Sequence, residues 1–366
     1  MAGGAGWIGL TDRTSGWFHP EGLSRAAGGA SAPCGGALLT RGTLLLETRL
    51  SPDGRPQTLL AIEQAQPWRS HLSLRAIPGG GIVVVAGQGD RVFHCTLALD
   101  AEARTDVLRI AYSWDAPARQ ARLTVERPEH DRPRVVEARG PLPVPMEAMR
   151  RLACEPWSRR LDPDVIFVAV SDRVEPVGPM PSLTGRVPVD TPCGWRPVSA
   201  LRRGDLVRTR GSGPVPVLAA LRHALPARGS FRPIRLRAPY FGLLQDIVVA
   251  PGQRLVIGGS HVEYMFGHEA VLVPARHLVN GSAAVEETGP LVVTYHQLLL
   301  PEHEALIAAG TGAESLNIGR LRRRKDLLGA TLMGPLPRDW LPDHAMSAYP
   351  VLKCFEAVSL AEERAA

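Results

Sequence analysis

The chain has 366 residues, of which 45% are hydrophobic and 21% are charged. This balance predicts a soluble globular protein with two or three domains that each bury a core. The formal net charge is +6, but the basic residues are dispersed, and only Lys325 and Lys353 are lysines. We therefore expect no nucleic-acid partner, since such binding needs a concentrated basic surface. No period of 20–50 residues stands out, which excludes a solenoid or a propeller.

The five cysteines are scattered, and they form no Cys-x-x-Cys pair and no Cys/His spacing suited to zinc. We expect reduced thiols, no metal and no cofactor. No stretch approaches about 18 apolar residues, so no transmembrane segment is predicted. The N-terminus also lacks a basic region followed by a long apolar run. The default expectation is a cytoplasmic location, and secretion without a signal peptide is left open.

The first half of the chain carries the pattern of short strands. Residues 1–35 form a segment rich in Gly, Ala and Ser, and alternating apolar and polar residues begin near Gly36. The clearest case is "VLRIAYSWDAPARQARLTVER", in which Trp114 ends one alternating run and Leu123 lies in the next. This pattern predicts a hairpin. Six or more such strands predict a β-sandwich of jelly-roll type over residues 36–165, similar to lectin-like laminin-G and concanavalin domains.

A helix and a linker are predicted to end this domain. "MEAMRRLAC" places apolar residues at helical spacing after Pro145. "DVIFVAVSDRVEPVGPMPS" begins as a strand and becomes rich in Pro and Gly, so we assign residues 166–181 to a linker.

The second half predicts an all-β domain with its own motifs. Five blocks follow one another in order between residues 182 and 330: "TPCGWRPVSALRRGDLVRT", "DIVVAPGQRLVI", "GHEAVLVPARHLV", "YHQLLLPEHEALIAAG" and "ESLNIG". Together they resemble the bacterial branch of the Hedgehog/intein (Hint) family. The resemblance implies a horseshoe-like, pseudo-two-fold β-fold over residues 182–330. It also implies that residues 331–366 form a C-terminal tail that closes this domain.

The resemblance further implies an ancestral reaction at the domain's first peptide bond. A Cys or Ser at the first position attacks the preceding carbonyl, which here would be Ser182 attacking Pro181. A hydroxyl is a weak nucleophile at neutral pH and needs a nearby base. The tetrahedral intermediate also needs donors aimed at its oxyanion. In the family, a Thr/Ser-x-x-His unit in the second block supplies these groups.

This sequence departs from that pattern at several positions. Ala250 stands at the family's Thr/Ser position and Gln253 at its His position, and Gln297 stands where a later histidine is usual. An amide cannot exchange a proton near neutral pH. His296 could replace the lost histidine only if the strand register shifted by one residue, because neighbouring side chains point to opposite faces. His303, in the family's His-Glu pair, is either a catalytic group or part of a buried polar bridge.

The sequence leaves two hypotheses open. In the first, the chain is a Hint-domain protein that has lost most of its self-cleavage and serves in binding or structure, with a glycan or protein ligand on the sandwich. In the second, the domain still cleaves the Pro181–Ser182 bond by an acyl shift and releases the sandwich. At most this would be a single-turnover enzyme activity, and no conventional turnover enzyme is predicted. The Ala250/Gln253 pair favours the first hypothesis, while Ser182 at the correct position favours the second.

Overall fold

The structure is a computed structural model that describes residues 6–25, 34–50, 55–66, 68–78, 80–99, 107–128 and 130–365. The chain divides into two compact units, Met1–Gly178 and Pro179–Ala366. Both consist mainly of antiparallel β-sheets. None of the helices within the described ranges is long and apolar enough to cross a membrane.

The first unit contains two main sheets and one helix. Its strands are β1 (Trp7–Thr11), β2 (Gly16–Phe18), β3 (Leu38–Leu39), β4 (Arg41–Arg49), β5 (Gln57–Gln64), β6 (Ser70–Ile77), β7 (Gly81–Gln88), β8 (Arg91–Ala98), β9 (Val107–Asp115), β10 (Gln120–Arg127), β11 (His130–Arg139), β12 (Val144–Pro145), β13 (Arg159–Leu161) and β14 (Val165–Ser171), with helix α1 (Met146–Cys154). Among the described residues, one sheet has the order β11-β10-β9-β4-β14-β1-β2 and the other β13-β5-β6-β7-β8. A short pair, β12-β3, completes the set.

The predicted hairpin forms part of the larger sheet of this unit. β9 pairs with β10 in register from Asp115 opposite Gln120. Tyr112 and Trp114 are fully buried and stack at 5.5 Å, and the Trp114 indole N–H donates to Leu39 O at 2.9 Å. Apolar residues from both sheets form one continuous core. This arrangement confirms the predicted β-sandwich.

The structure differs from the prediction at both ends of the sandwich. Residues 1–35 were expected to be only a glycine-rich segment, yet β1 and β2 lie there, and β1 pairs with both β2 and β14. β14 was assigned to the linker at 166–181, but it lies between β4 and β1 inside the larger sheet. Its run "VIFVAVS" is buried on both faces, so it lacks the polar alternation that marks the other strands. The linker therefore begins after Ser171.

The second unit contains shorter strands. They are β15 (Leu183–Thr184), β16 (Pro188–Thr191), β17 (Gly194–Pro197), β18 (Leu206–Thr209), β19 (Gly213–Pro216), β20 (Ala219–Pro226), β21 (Ile234–Leu236), β22 (Ile247–Val249), β23 (Arg254–Gly258), β24 (Ala270–Pro274), β25 (Ala284–Glu286), β26 (Val292–Leu299), β27 (Ala305–Ala308) and β28 (Thr311–Glu314), with helices α2 (Ser260–Phe266), α3 (Lys325–Leu328) and α4 (Cys354–Ala365). Among the described residues, one sheet has the order β20-β26-β15-β22-β21-β25. The other runs β17-β16-β27-β28-β23-β24, and β18 joins it through β27 and carries β19.

The first sheet of this unit places the candidate site. β15 has only two residues, but Leu183 pairs with Val249 on β22 and with His296 on β26. Leu183 is fully buried in the unit's main core. The residue just before β15 is thereby held between two longer strands. The pseudo-two-fold, horseshoe-like arrangement of this unit stays a prediction.

The C-terminal tail packs onto the second unit. Leu272 on β24 donates its N–H to Pro350 O at 2.7 Å, and Leu352 donates to Leu272 O at 2.9 Å. Leu352, Ala357 and Leu360 are buried in the unit's core. These contacts attach residues 331–365 to the same compact unit as the strands.

Candidate functional site

Ser182 lies at the entrance to β15, and its backbone is fixed by the neighbouring turn. Its carbonyl oxygen accepts a hydrogen bond from the backbone N–H of Ala250 at 2.7 Å. Ala250 is buried, and its methyl side chain cannot donate. The backbone N–H of Ala250 is thus used by the carbonyl oxygen of Ser182.

Three of the residues singled out from the sequence converge on one point. The Ser182 hydroxyl donates to Gln253 Oε1 at 2.6 Å. Gln297 Nε2 donates to Ser182 Oγ at 3.0 Å and to Gln253 Oε1 at 3.1 Å. Gln253 and Gln297 are only 1% and 2% exposed. A hydroxyl and two buried amides therefore form a closed hydrogen-bonded triangle, which we call the Ser–Gln–Gln network.

The backbone carbonyl of Glu314 anchors both glutamines. Gln297 Nε2 lies 3.0 Å from Glu314 O, and Gln253 Nε2 lies 3.2 Å from the same oxygen. Gln253 Nε2 also donates to Arg254 O at 2.8 Å. These contacts fix the amide orientations, because each nitrogen must face a carbonyl oxygen. The two amide oxygens are then left to accept, and Gln253 Oε1 accepts the hydrogen bond that the Ser182 hydroxyl donates.

This network offers the serine no base. Among the described residues, the hydroxyl of Ser182 bonds only to amide groups, and an amide oxygen does not take a proton near neutral pH. A serine nucleophile needs a partner that accepts its proton as the new bond forms. The structure therefore shows the Ser182 hydroxyl held by hydrogen bonds to two amide side chains.

His296 lies on the other face of β26 from the network. Its neighbours Tyr295 and Gln297 are fully buried, whereas His296 is half-buried, as strand alternation requires. Its ring lies beside Gly185: a Cβ at that position would be 3.0 Å from His296 Nε2. Burial, together with the nearby Arg222, lowers the pKa of the imidazole. The register shift that would place His296 beside Ser182 does not occur, since Leu183 pairs directly with His296.

His303 connects the strands to the C-terminal tail. Its Nδ1 accepts the backbone N–H of Ala348 at 3.2 Å, and its Nε2 lies 2.9 Å from Glu314 Oε1 without the alignment of a hydrogen bond. Glu314 Oε1 also pairs with Arg254 at 2.9 Å. The adjacent Glu304 instead accepts the hydroxyl of Thr209. The geometry therefore favours the buried polar bridge over a catalytic pair.

Sequence reasoning missed the part played by Glu314. It lies in the "ESLNIG" block, which contributed to the resemblance but received no role. Its carbonyl oxygen holds the network, while its carboxylate holds Arg254 and contacts His303. A backbone carbonyl leaves no trace in residue type, so only the sheet geometry identifies it.

The groups gathered around Ser182 are its own hydroxyl, two amides and backbone carbonyls. The described part of the chain contains no group of three or more His, Cys, Asp or Glu side chains placed to hold a metal ion.

The model of the Hint domain family matches residues 181–320. Residues 181–320 are a Hint domain. Ser182 is the second residue of the matched range, and both Gln253 and Gln297 fall inside it. The Ser–Gln–Gln network is thus built within the Hint domain, at the entrance to its first strand.

Solved structures give weaker likenesses. The MchDnaB-1 intein (N145AA) is 14% identical over 37% of this chain and 99% of its own, with a TM-score of 0.26. The Ruminococcus gnavus IT-sialidase CBM40 bound to alpha2,3 sialyllactose is 12% identical over 36% of this chain and 76% of its own, with a TM-score of 0.25. The leech intramolecular trans-sialidase is 16% identical over 46% of this chain and 26% of its own, also at 0.25. TM-scores this far below 0.5 do not establish a common fold, so the assignment rests on the family model. No curated protein matches the chain.

Proposed function

We propose that this protein is a Hint-domain protein that remains uncleaved, in which the Hint domain is a scaffold and the sandwich is a binding module. The observation that carries the proposal is the Ser–Gln–Gln network. In this network the Ser182 hydroxyl forms its hydrogen bonds with amide groups. An acyl shift instead needs a base beside the hydroxyl and a donor for the oxyanion. Each such group typically contributes about 10²–10⁴-fold to a rate.

The steps of the acyl shift show which chemical function the proposed scaffold would lack, namely acceptance of the serine proton. Ser182 Oγ would bond to the carbonyl carbon of Pro181, the C–N bond between the two residues would break, and the hydroxyl proton would pass to the freed α-amine. The product is an ester that water or hydroxylamine can cleave. The proton must leave the oxygen during the attack, and the amide oxygen of Gln253 is a poor acceptor for it.

Restoring the family's groups tests this proposal. We would introduce Ser182→Cys, Ala250→Thr, Gln253→His and Gln297→His together and follow the intact mass of the purified chain with and without a thiol. We expect the wild-type chain to stay at 39.4 kDa and the restored chain to yield a fragment ending at Pro181. A matched variant with Ser182→Ala beside the other three changes controls for proteolysis. A wild-type chain that cleaves itself would overturn the proposal.

Active autoproteolysis is the second candidate. One observation favours it: Ser182 Oγ is already held by two defined hydrogen bonds, at 2.6 Å and 3.0 Å. An oriented nucleophile keeps part of the rate that a missing base removes. Hydroxylamine separates the two candidates because it traps an ester that forms only transiently.

A further inference from the structure

Two buried histidines lie where the C-terminal tail meets the strands of the second unit. His303 lies just before β27 and is 5% exposed, and His344 lies in the tail and is 4% exposed. Their ring centroids are 5.9 Å apart. The tail thus brings a second imidazole to a place from which water is nearly excluded.

Each imidazole joins the tail to the strands by accepting a backbone N–H. His344 Nδ1 accepts the N–H of Ile318 at 3.3 Å, and its Nε2 lies 3.1 Å from Leu300 O. In the opposite direction, His303 Nδ1 accepts the N–H of Ala348, in the tail, at 3.2 Å. A ring nitrogen that accepts a hydrogen bond carries no proton, so this geometry assigns both rings the neutral form with the hydrogen on Nε2.

Protonation removes both of these connections. An imidazolium donates from both nitrogens and accepts at neither, so its new proton on Nδ1 would point at a backbone N–H. The buried N–H would lose its acceptor, which costs folding free energy. The charged ring would also stay out of water, which adds a second cost. Opening of the tail removes both costs, because the ring and the N–H then reach solvent.

The two carboxylates described near His303 both have other partners. Glu314 Oε1, on β28, lies 2.9 Å from His303 Nε2 and also pairs with Arg254, on β23, at 2.9 Å. The carboxylate of the adjacent Glu304 accepts the hydroxyl of Thr209. Because Glu314 is already neutralised by an arginine, it favours a charged imidazole less than a free carboxylate would.

The titratable groups around His344 have opposing effects on its charge. The neighbouring His303 opposes a positive charge on the ring, while the carboxylates of Glu302 and Asp343 favour it. Asp343 is itself paired with Arg323. Burial has the largest effect and lowers the pKa of His344 below its ordinary value. The ring therefore takes up a proton more readily when the tail is open.

The tail covers the edge of a sheet. β24 is the last strand in its sheet, and the tail supplies its outer hydrogen bonds: Leu272 N–H donates to Pro350 O, and Leu352 N–H donates to Leu272 O. Tyr349 packs against a small apolar cluster that consists of Val256, Ala270, Leu272 and Ala305. Removal of the tail would leave an open strand edge beside exposed apolar side chains.

We propose that His303 and His344 form an acid-sensitive latch, which holds residues 343–352 against β24 near neutral pH and releases them when the rings are protonated. Release uncovers the edge of β24 and its apolar cluster while the strands of the unit stay folded. The inference goes beyond the scaffold role, and it does not depend on whether the Pro181–Ser182 bond is cleaved.

The size of the effect follows from the difference between the closed and open states. The closed state requires an unprotonated Nδ1, whereas in the open state the pKa of His344 returns to about 6.5. Protonation of this one ring then favours the open state about tenfold at pH 5.5 and hardly at all at pH 7.5. Protonation of His303 adds to this factor.

Hydrogen–deuterium exchange of the full wild-type chain tests the latch at these two pH values, with rates corrected for the pH dependence of exchange in an unstructured peptide. The amides of Ala348, Leu352 and Leu272 should lose protection about tenfold or more at pH 5.5, because their hydrogen bonds break when the tail opens. Low concentrations of urea distinguish this local opening from unfolding of the unit. Exchange of the tail should hardly depend on urea, whereas exchange of β26 should rise steeply with it.

Glutamine variants assign the acid response to the two rings. In His344→Gln the amide can accept the N–H of Ile318 and donate to Leu300 O, but it does not titrate near neutral pH. This variant and His303→Gln should each respond less than the wild type, and the double variant should not respond. His268→Gln, at an exposed site of the same unit, should respond as the wild type does.

Three results would each overturn the latch. The first is tail protection in the wild type that is the same at both pH values. The second is tail exchange that rises with urea as steeply as that of β26, because the tail would then open only with the whole unit. The third is a full acid response in the double variant. The first two results need only the wild-type chain, so they decide the matter even where a variant fails to fold.

Discussion

Replacing Gln253 with glutamate probes the Ser–Gln–Gln network directly. In the native chain the Gln253 amide nitrogen faces two carbonyl oxygens, Arg254 O at 2.8 Å and Glu314 O at 3.2 Å. Gln253→Glu places a second carboxyl oxygen there. The neutral acid can donate to one carbonyl, whereas the carboxylate can donate to neither and has lost its hydration. The folded chain should therefore hold the new carboxyl protonated, with a raised pKa.

The size of the pKa rise follows from the burial of residue 253 and from the hydrogen-bond donors that oppose the rise. Full burial raises a carboxyl pKa by up to about 3–5 units, and the donors from Ser182 and Gln297 offset part of this. A net rise of about 2 units corresponds to about 3 kcal/mol. Because the folded pKa lies above the unfolded value of about 4.3, the penalty is absent below that pH. It grows as the pH rises and is complete above the folded pKa.

Urea titrations at pH 4.5 and pH 7.5 measure this difference. Hydrogen–deuterium exchange of peptides from β26 reports the stability of the unit Pro179–Ala366, called the Hint unit below, separately from that of the sandwich. Relative to wild type, Gln253→Glu should lose about 2 kcal/mol more at pH 7.5 than at pH 4.5, because a small part of the penalty is already present at pH 4.5. Gln245→Glu, a change at an exposed site of the same unit, should stay within about 0.5 kcal/mol at both. An equal loss at the two pH values would refute the amide orientations described above.

Three further outcomes are expected. Burial lowers the pKa of His344, whose Nδ1 accepts the N–H of Ile318 at 3.3 Å. The Hint unit should therefore lose stability as the pH falls below about 6.5, the pKa of an unfolded histidine. His344→Gln should flatten that pH dependence in urea titrations. Gly42→Ala would place a Cβ 2.5 Å from the Trp114 ring and should destabilise the sandwich by about 1–3 kcal/mol in its melting transition, whereas Gly36→Ala, with open space around it, should not. Leu183→Ala should cost about 2–5 kcal/mol in the Hint unit, measured by exchange of the β26 peptides, because the side chain is fully buried.

Strand alternation made much of the sandwich predictable. Tyr112 and Trp114 face the core because a half-buried strand exposes alternate residues, and the turn after Asp115 ends the pattern clearly. β14 was missed as part of the sheet for the opposite reason. Both of its faces are buried, so an apolar run beside Pro and Gly resembled the start of a linker. β1 and β2 are short and were hidden by the surrounding glycines.

The site was predictable only as far as side chains define it. The ordered motifs pointed to Ser182, Gln253 and Gln297, which the structure brings together. The anchoring carbonyl of Glu314 could not be inferred, since every residue has one.

The intact mass of the purified wild-type chain, incubated with and without hydroxylamine beside Ser182→Ala, tests the central claim most directly. The Ser–Gln–Gln network predicts 39.4 kDa in every condition, because an amide oxygen does not take the serine proton. A fragment ending at Pro181 that appears in the wild type and is absent in Ser182→Ala would contradict this account and establish an active acyl shift.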